Sequence, residues 1–474
     1  MSGKQEREES VWLAVTACTL VALYFLASTL YALVHFDEFA SAIPQFLRYV
    51  LAPALLGAGF LAVGLLAKPR WSRPVGIYGL SLLAGLFLFE GFLTIRQLSV
   101  HFALLGRLDE DQRAVLSDDK DFVRGFTLRQ LNLLAGVKGL PETMLSGFPR
   151  STTLLCSPPG QVITYKADRY GFNNPDSVYG ASVDLMLLGD SFVEGFCLRP
   201  GVDLASRLRQ HVPNTVSMGI RGNGPLIELA TLGRYGPILK PNHVVMAFFE
   251  GNDWENLQRS LNQPWLRIAL QPDARFGTPS SAVQTVHKAR SVMDEINKEE
   301  VTMTDLVARR SFLRNFAALQ MTGTSLGLLY PKVSGEIPEF QQTLRRAKKL
   351  TESWGGCFYL LYIPRVDRFV GLFPSDPGFS HLEDLVRQAA AAENVHVIHL
   401  KTAFRRHPEP ARLYAPDAHF SQEGAVLAAD TIAHALSTTP SSSAGRSCAP
   451  VLVDKSFGPG TNLLGGDEGR KFGG

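Results

Sequence analysis

Residues Val183–Ser191 read VDLMLLGDS, and this stretch decides the fold. Its apolar run is short and ends at a glycine, which is typical of a strand buried on both faces of a parallel sheet. Asp190 and Ser191 follow directly, so they would lie just beyond the carboxyl end of that strand. Ligands of open parallel sheets bind at this edge, and the stretch therefore predicts a functional site as well as a strand.

The same alternation continues along the chain. Four further buried strands are predicted, at 214–218, 243–249, 357–363 and 396–400. Helical patterns lie between and after them, at 203–211, 225–234, 383–393 and 423–436. Strands that alternate with helices predict a mainly parallel sheet covered on both faces, which is a three-layer α/β/α domain over residues 181–436.

Small polar clusters follow three of these strands, and a fourth precedes the last helix. They are Gly189–Ser191, Gly219–Gly224, Glu250–Asp253 and Asp417–His419. A serine nucleophile needs a neighbouring base, which His419 can supply, and the base needs an orienting acid, for which Asp417 is better placed than Asp253. Backbone N–H groups and the Asn252 amide could stabilise an oxyanion.

The order Gly-Asp-Ser, Gly, Gly-Asn-Asp, Asp-x-His resembles the SGNH/GDSL hydrolase family over about residues 183–436. The resemblance implies a flavodoxin-like SGNH fold with Ser191 as the nucleophile and His419 and Asp417 as its partners. It also implies Gly222 and Asn252 as oxyanion-hole residues, with Gly219 as a rival glycine. Ser217 stands where the family usually has asparagine.

The spacing of the acid and the base departs from many family hydrolases, in which the aspartate lies three residues before the histidine. Here Asp417 lies two residues before His419, which is similar to the alginate-type polysaccharide O-acetyltransferases. The resemblance therefore implies an ester hydrolase and leaves an O-acyltransferase that modifies envelope or secreted polysaccharide as the alternative. A non-catalytic glycan-binding module is a third option.

Residues 1–95 contain three apolar stretches, at about 11–34, 46–67 and 75–95, each long enough to cross a bilayer. The loop 68–73 is basic and the loop near Asp37 is acidic, so the positive-inside rule places the N-terminus in the cytoplasm. The catalytic domain would then lie in the periplasm of a bacterium, anchored in the inner membrane. Glu90, within the third stretch, is expected to snorkel to the outer interface.

The remaining segments have weaker patterns. Residues 96–180 are predicted to be a connector with some helix, and 437–474 a flexible tail. The stretch of about 255–354 is too long for one crossover and predicts an insertion, as either a lid over the site or a plain helical addition. The five cysteines follow no spacing rule. All except Cys18 could pair in an oxidising compartment, but we expect buried unpaired thiols.

Composition excludes several classes of partner. A net charge of +3 with no basic block argues against nucleic acid. The cysteines and histidines show no metal-ligand spacing, and the serine chemistry needs neither a metal nor another cofactor. The expected partners are an acyl-ester or glycan substrate and, for a transferase, a membrane protein that supplies the acyl group.

Overall fold

The computed structural model describes residues 2–104, 119–158, 161–296, 310–373, 375–437 and Cys448. Within them, a small sheet with the order β1-β2-β3 precedes a five-stranded sheet with the order β5-β4-β6-β7-β8. The strands are β1 Phe122–Val123, β2 Thr152–Cys156, β3 Ile163–Lys166, β4 Leu185–Gly189, β5 Thr215–Gly219, β6 His243–Phe249, β7 Cys357–Ile363 and β8 His396–His399. Every pair in the larger sheet is parallel, as predicted.

Alternate residues of the central strands bury opposite faces of the large sheet. In β4, Leu185 and Leu187 pack into one hydrophobic core, whereas Met186 and Leu188 pack into the other. Because successive side chains of a strand point to opposite faces, a continuous apolar run requires helices on both sides. The predicted three-layer fold is confirmed.

Helices supply the two outer layers and the connections. They are Leu128–Leu134, Ser191–Glu194, Leu204–Leu208, Pro225–Leu239, Asp253–Leu261, Pro264–Arg267, Val283–Ile296, Arg310–Ala317, Gln320–Leu326, Pro338–Glu352, Ser380–Ala392, Leu400–Arg405 and Gln422–Ser437. The helix Pro338–Glu352 is buried against the sheet through Phe340 and Leu344 and leads into β7. The insertion thus lies ahead of an ordinary crossover helix.

The segment predicted as a connector contributes to the catalytic core. Leu131, Met144 and Phe172 are fully buried in the same cluster as Met186 of the central sheet. Its small sheet is tied to the residues after β4 by a disulfide between Cys156 and Cys197. Short apolar stretches separated by loops gave no periodic signal for this packing, so the sequence pattern missed it.

Three helical stretches are long and apolar enough to cross a membrane, and they are Val11–Val34, Ile43–Leu66 and Pro69–Leu98. They pack through small residues, since a Cβ at Gly64 or Gly76 would lie within 3 Å of the Cys18 side chain. The second span contains a π-helical turn over Leu47–Leu51. These three helices favour the predicted membrane anchoring.

The expectation for Glu90 is wrong. Its side chain is 1% exposed and does not reach an aqueous interface. Instead its carboxylate accepts hydrogen bonds from the backbone N–H groups of Met321 (3.0 Å) and Thr322 (2.7 Å) in the insertion. A buried carboxylate needs such donors, and sequence alone could not indicate that they come from a segment 231 residues away.

The expectation of unpaired thiols is also wrong for four of the five cysteines. Cys156 pairs with Cys197, and Cys357 pairs with Cys448. Cys18 is free and buried among the spans. Sequence separations of 41 and 91 residues carry no pairing information, because only the fold brings the partners together. The predicted flexible tail otherwise lies outside the described residues.

Candidate active site

Ser191 stands at the first turn after β4. Asp190 caps that turn, accepting a hydrogen bond from the Phe192 N–H at 3.0 Å. Gly189 allows the turn to close tightly, since a Cβ there would lie 2.5 Å from Val193 Cγ2. Ser191 is 6% exposed, so the nucleophile is largely buried at the carboxyl edge of the sheet.

His419 and Asp417 join Ser191 in one hydrogen-bonded chain. His419 Nε2 lies 2.8 Å from Ser191 Oγ, and His419 Nδ1 lies 3.1 Å from Asp417 Oδ2. A proton on Nδ1 is held by the carboxylate, which leaves Nε2 to accept the serine proton. The structure therefore brings the predicted nucleophile, base and acid together in the order that acyl transfer requires.

The short Asp-x-His spacing is made possible by a left-handed residue. Ala418 has φ +68°, and this conformation turns the Asp417 and His419 side chains toward each other. The His419 N–H also donates to Asp417 Oδ1 at 3.3 Å. A left-handed alanine costs of order 1 kcal/mol or more, and such strain is commonly stored at functional sites.

Two aromatic rings hold the imidazole in place. The Phe196 and Phe192 ring centroids lie 4.5 Å and 5.1 Å from that of His419. Both rings belong to the segment that follows Ser191, so the base is packed against the turn that carries the nucleophile. The sequence pattern gave no sign of this contact.

Candidate oxyanion donors lie at the ends of β4, β5 and β6. Within the described part of the chain, no acceptor is hydrogen-bonded to the N–H of Ser191 or of Gly222. Asn252 Nδ2 donates to Asp190 Oδ2 at 3.4 Å, which leaves its second amide hydrogen available. Free donors around a nucleophile are what an oxyanion needs.

The two candidate glycines have different structural roles. Gly219 ends β5 and packs on the helix of the nucleophile, where a Cβ would lie 2.5 Å from the Glu194 nitrogen. Gly222 lies beyond the strand with φ +74°, a conformation that favours glycine. Close packing explains Gly219 without any contact to substrate, so Gly222 remains the better candidate donor.

A buried ion pair that sequence reasoning missed joins two of these loops. Glu194, in the helix begun by Ser191, accepts hydrogen bonds from both the Arg221 side chain and the Arg221 backbone N–H, each at 2.9 Å. Arg221 immediately precedes Gly222, so this pair fixes the glycine relative to the nucleophile. The Glu194 side chain is only 1% exposed, which makes the pair part of the interior.

A second missed ion pair supports the Asn252 loop. Arg368 donates hydrogen bonds to both carboxylate oxygens of Glu250, from Nε and Nη2, at 2.7 Å each. The Arg365 N–H and the Tyr362 hydroxyl also donate to this carboxylate. Glu250 and Arg368 each follow a predicted buried strand, but nothing in the sequence pairs them, because their contact depends on β6 and β7 being neighbours in the sheet.

Three buried carboxyl groups lie behind the nucleophile. Burial is the main cause that raises the pKa of Asp190, Glu228 and Asp253, and repulsion from neighbouring carboxylates adds to the rise for the latter two, whose pKa lies well above the usual range. Both oxygens of Glu228 lack a hydrogen-bond partner among the described residues. A protonated Glu228 at neutral pH satisfies these observations, because an ionised and unpaired carboxylate would be costly there.

We expect Glu228→Gln to change the pH dependence of stability. An acid whose folded pKa is raised destabilises the fold as pH rises from the unfolded pKa of about 4.3 toward the folded pKa, by about 1.4 kcal/mol for each pH unit between the two. The neutral variant lacks this loss. The melting temperature of Glu228→Gln in detergent, relative to that of the parent protein, should therefore be higher at pH 8 than at pH 5.

Glu336→Gln provides the matched control, since Glu336 is exposed. This variant should follow the parent protein at both pH values. A Glu228→Gln difference that stays constant between pH 5 and pH 8 would show that Glu228 does not titrate with a raised pKa.

Other polar residues near the site act as braces. Asp253 Oδ2 accepts the Phe249 N–H at 2.7 Å, and Asn173 Nδ2 donates to the Glu194 carbonyl at 2.8 Å.

Trp254 is 7% exposed and packs in the core, so its ring is not available to stack on a sugar. No group of three potential metal ligands occurs in the part of the chain that the structure describes.

Comparison with known proteins identifies one matching family. The sequence model of the GDSL-like lipase/acylhydrolase family matches residues 187–427, half of the chain. No curated protein matches the chain. Among solved structures, the lipase/acylhydrolase from Enterococcus faecalis is 16% identical, with a TM-score of 0.29 over 54% of this chain and 95% of that one.

Two further solved structures are similar to the same part of the chain. The α/β hydrolase enzyme LAE5 from the metagenome of Lake Arreo is 18% identical, with a TM-score of 0.31 over 54% of this chain and 96% of that one. Esterase EstA from Pseudoalteromonas is 11% identical, with a TM-score of 0.29 over 54% and 96%.

Proposed function

The chain belongs to the GDSL-like lipase/acylhydrolase family, and from this premise we propose that it is a serine-dependent ester hydrolase that forms an acyl-enzyme on Ser191. The observation that carries the proposal is the chain of hydrogen bonds from Ser191 through His419 to Asp417. Such a chain turns a weak hydroxyl nucleophile into an effective one.

In the first half of the reaction, Ser191 Oγ bonds to the ester carbonyl carbon while its proton passes to His419 Nε2. The carbonyl oxygen takes the negative charge and is held by the N–H groups of Ser191 and Gly222 and by the Asn252 amide. Each such donor contributes about 10²–10³ in rate. The C–O bond to the leaving alcohol then breaks, and His419 returns the proton to that oxygen.

In the second half, an acceptor hydroxyl attacks the acyl-serine. His419 takes the acceptor proton, a new C–O bond forms, and the bond to Ser191 Oγ breaks as the serine recovers its proton. Asp417 stabilises the imidazolium that exists during both transfers. Water as the acceptor gives hydrolysis.

We place this reaction on the outer side of the cytoplasmic membrane. Three spans put the catalytic domain on the opposite side of the membrane from the N-terminus. The loop 68–73 lies on the same side as the N-terminus, and its basic residues favour the cytoplasm for that side. The two disulfides support the same side, because structural disulfides persist in oxidising compartments such as the periplasm.

A second candidate function, O-acyl transfer to a polysaccharide hydroxyl, is favoured by one observation. The tight turn at Ala418 builds the Asp-x-His spacing, which is similar to that of alginate-type O-acetyltransferases. The chemistry at Ser191 is the same, and only the acceptor differs. A membrane partner that supplies the acyl group would suit this alternative.

Purified full-length protein in detergent, given p-nitrophenyl acetate with and without an acetyl-free glycan, tests both candidates. We expect p-nitrophenol release together with labelling of Ser191 by a fluorophosphonate. Acetylated glycan in the product would identify a transferase, and free acetate alone a hydrolase. Absence of labelling and of turnover in folded protein would favour a non-catalytic glycan-binding module.

A further inference from the structure

The insertion contains an uncharged stretch that the catalytic chemistry does not use. Residues 315–331, between Arg314 and Lys332, include no acidic or basic side chain. Seventeen residues are at the lower limit for a helix that crosses a bilayer. The glycines and polar residues within this stretch favour a re-entrant or interfacial segment over a complete span. In the structure they form the end of helix Arg310–Ala317, the helix Gln320–Leu326 and the irregular backbone that follows.

Glu90 of the third span fixes the depth of this stretch. Its carboxylate accepts the N–H groups of Met321 and Thr322. Glu90 lies six residues before Arg96, the charged residue near the outer end of the third span, which corresponds to about 9 Å along a helix axis. Half of a hydrocarbon core is about 15 Å thick, so this contact falls at the level of the outer leaflet.

The other two spans also contact this stretch. The Tyr24 hydroxyl donates to the Ala317 carbonyl at 3.2 Å, and Arg48 Nε donates to the Leu328 carbonyl at 2.8 Å. The Tyr49 hydroxyl donates to the Tyr330 carbonyl at 2.6 Å. Backbone that enters a bilayer must satisfy its polar groups within the protein, and these side chains do so for the irregular turns at both ends.

The outward side of the stretch continues the apolar surface of the spans. Phe316 packs on Phe87 with ring centroids 5.8 Å apart. One turn earlier, Leu313 is 63% exposed, and Leu88 of the third span is 78% exposed. Such a surface at this depth would be covered by lipid rather than water.

We propose that the stretch 315–331, together with the turn Phe312–Arg314 that leads into it, forms a re-entrant membrane element that enters the outer leaflet, packs on all three spans and presents Leu313 to lipid acyl chains. The element has no part in the reaction at Ser191 and does not depend on it. For these residues the proposal differs from a lid, because their contacts are to the anchor, whereas a lid would cover the site.

The element also ties the catalytic edge to the membrane. On leaving it, the chain donates the Val333 N–H to the Glu38 carbonyl at 2.8 Å, in the loop between the first two spans. Two residues later, the Gly335 carbonyl accepts Trp254 Nε1 at 2.9 Å. Trp254 lies two residues after Asn252, so the candidate oxyanion loop is joined to the anchor by a short run of chain.

Site-directed nitroxide labelling of the full chain in phosphatidylglycerol and phosphatidylcholine vesicles tests the element. In a Cys18→Ala background, labels are placed at Leu313→Cys and, as a second position in the element, Ala317→Cys; both native side chains are exposed. Leu88→Cys reports lipid. Ser353→Cys reports water, since Ser353 is exposed after the helix Pro338–Glu352, at the opposite end of the sheet from the site.

The expected result is an oxygen-to-nickel accessibility ratio at Leu313→Cys equal to that at Leu88→Cys and about tenfold above that at Ser353→Cys, because hydrocarbon excludes a polar nickel complex. Ala317→Cys should agree. Ratios at both element positions equal to that at Ser353→Cys would overturn the proposal, whatever the activity of the enzyme.

Discussion

Ser191→Ala is expected to lower ester turnover by about 10⁴–10⁶, since it removes the nucleophile while the oxyanion donors and the substrate contacts remain. His419→Ala should cost about as much, and the double variant should be no worse than either single one, because the two residues act as a unit. Initial rates of p-nitrophenol release from p-nitrophenyl acetate measure these losses.

The loss at Asn252 should be smaller and of a different kind. Asn252→Ala removes one donor and should lower kcat by about 10²–10³ with little change in KM, because the donor acts on charge that exists only in the transition state. Ser353→Ala, an exposed serine far from the site, should leave the rate unchanged. Full activity of Ser191→Ala would refute the proposed mechanism.

The parts of this site that the sequence predicted are those that lie at the ends of buried strands. A run such as Leu185–Leu188 identifies its strand, and the strand order then requires the residues just after it to converge at one edge. Ser191 and Asn252 follow such runs directly. His419 was predictable because an imidazole two residues after Asp417 suits the base of a serine nucleophile.

The remaining features depend on contacts that no local pattern encodes. The re-entrant stretch has too few apolar residues to predict a span, and Glu90 identifies it only once the fold brings Met321 to the carboxylate. Likewise, Glu194 and Arg221 lie 27 residues apart and pair only because β4 and β5 are neighbours. Long-range pairing of this kind follows from the order of the strands in the sheet. The sequence predicted a mainly parallel sheet but not that order.

The Arg368–Glu250 pair is expected to give the largest loss of stability of any single polar substitution. Arg368 is 0% exposed and Glu250 1% exposed, and Glu250 begins the loop that carries Asn252. Arg368→Met would leave the carboxylate buried with only the Arg365 N–H and the Tyr362 hydroxyl as donors. Removing one partner of a buried pair costs about 3–5 kcal/mol.

Adding Glu250→Gln to Arg368→Met separates the effect of the unpaired charge from that of the lost arginine packing. Glu250→Gln/Arg368→Met removes both charges of this pair, so it should regain part of the free energy of unfolding that Arg368→Met loses. The recovery is incomplete because Asp376 and Glu383 also lose their ion pairs with Arg368. Arg412→Met is the matched control, since that side chain is 66% exposed and should lose less than about 1 kcal/mol. Urea unfolding in detergent measures these three variants and Glu250→Gln alone.

The same variants distinguish a positioning role from a purely structural one. If Glu250 holds Asn252 in place, Arg368→Met should lower kcat more than it raises KM under conditions in which the protein is still folded, and the double variant should recover both stability and kcat. Strict additivity of the Arg368→Met and Glu250→Gln losses would mean that the two charges do not interact. The position of the loop would then depend on its other contacts, such as those of Asp253 and Trp254.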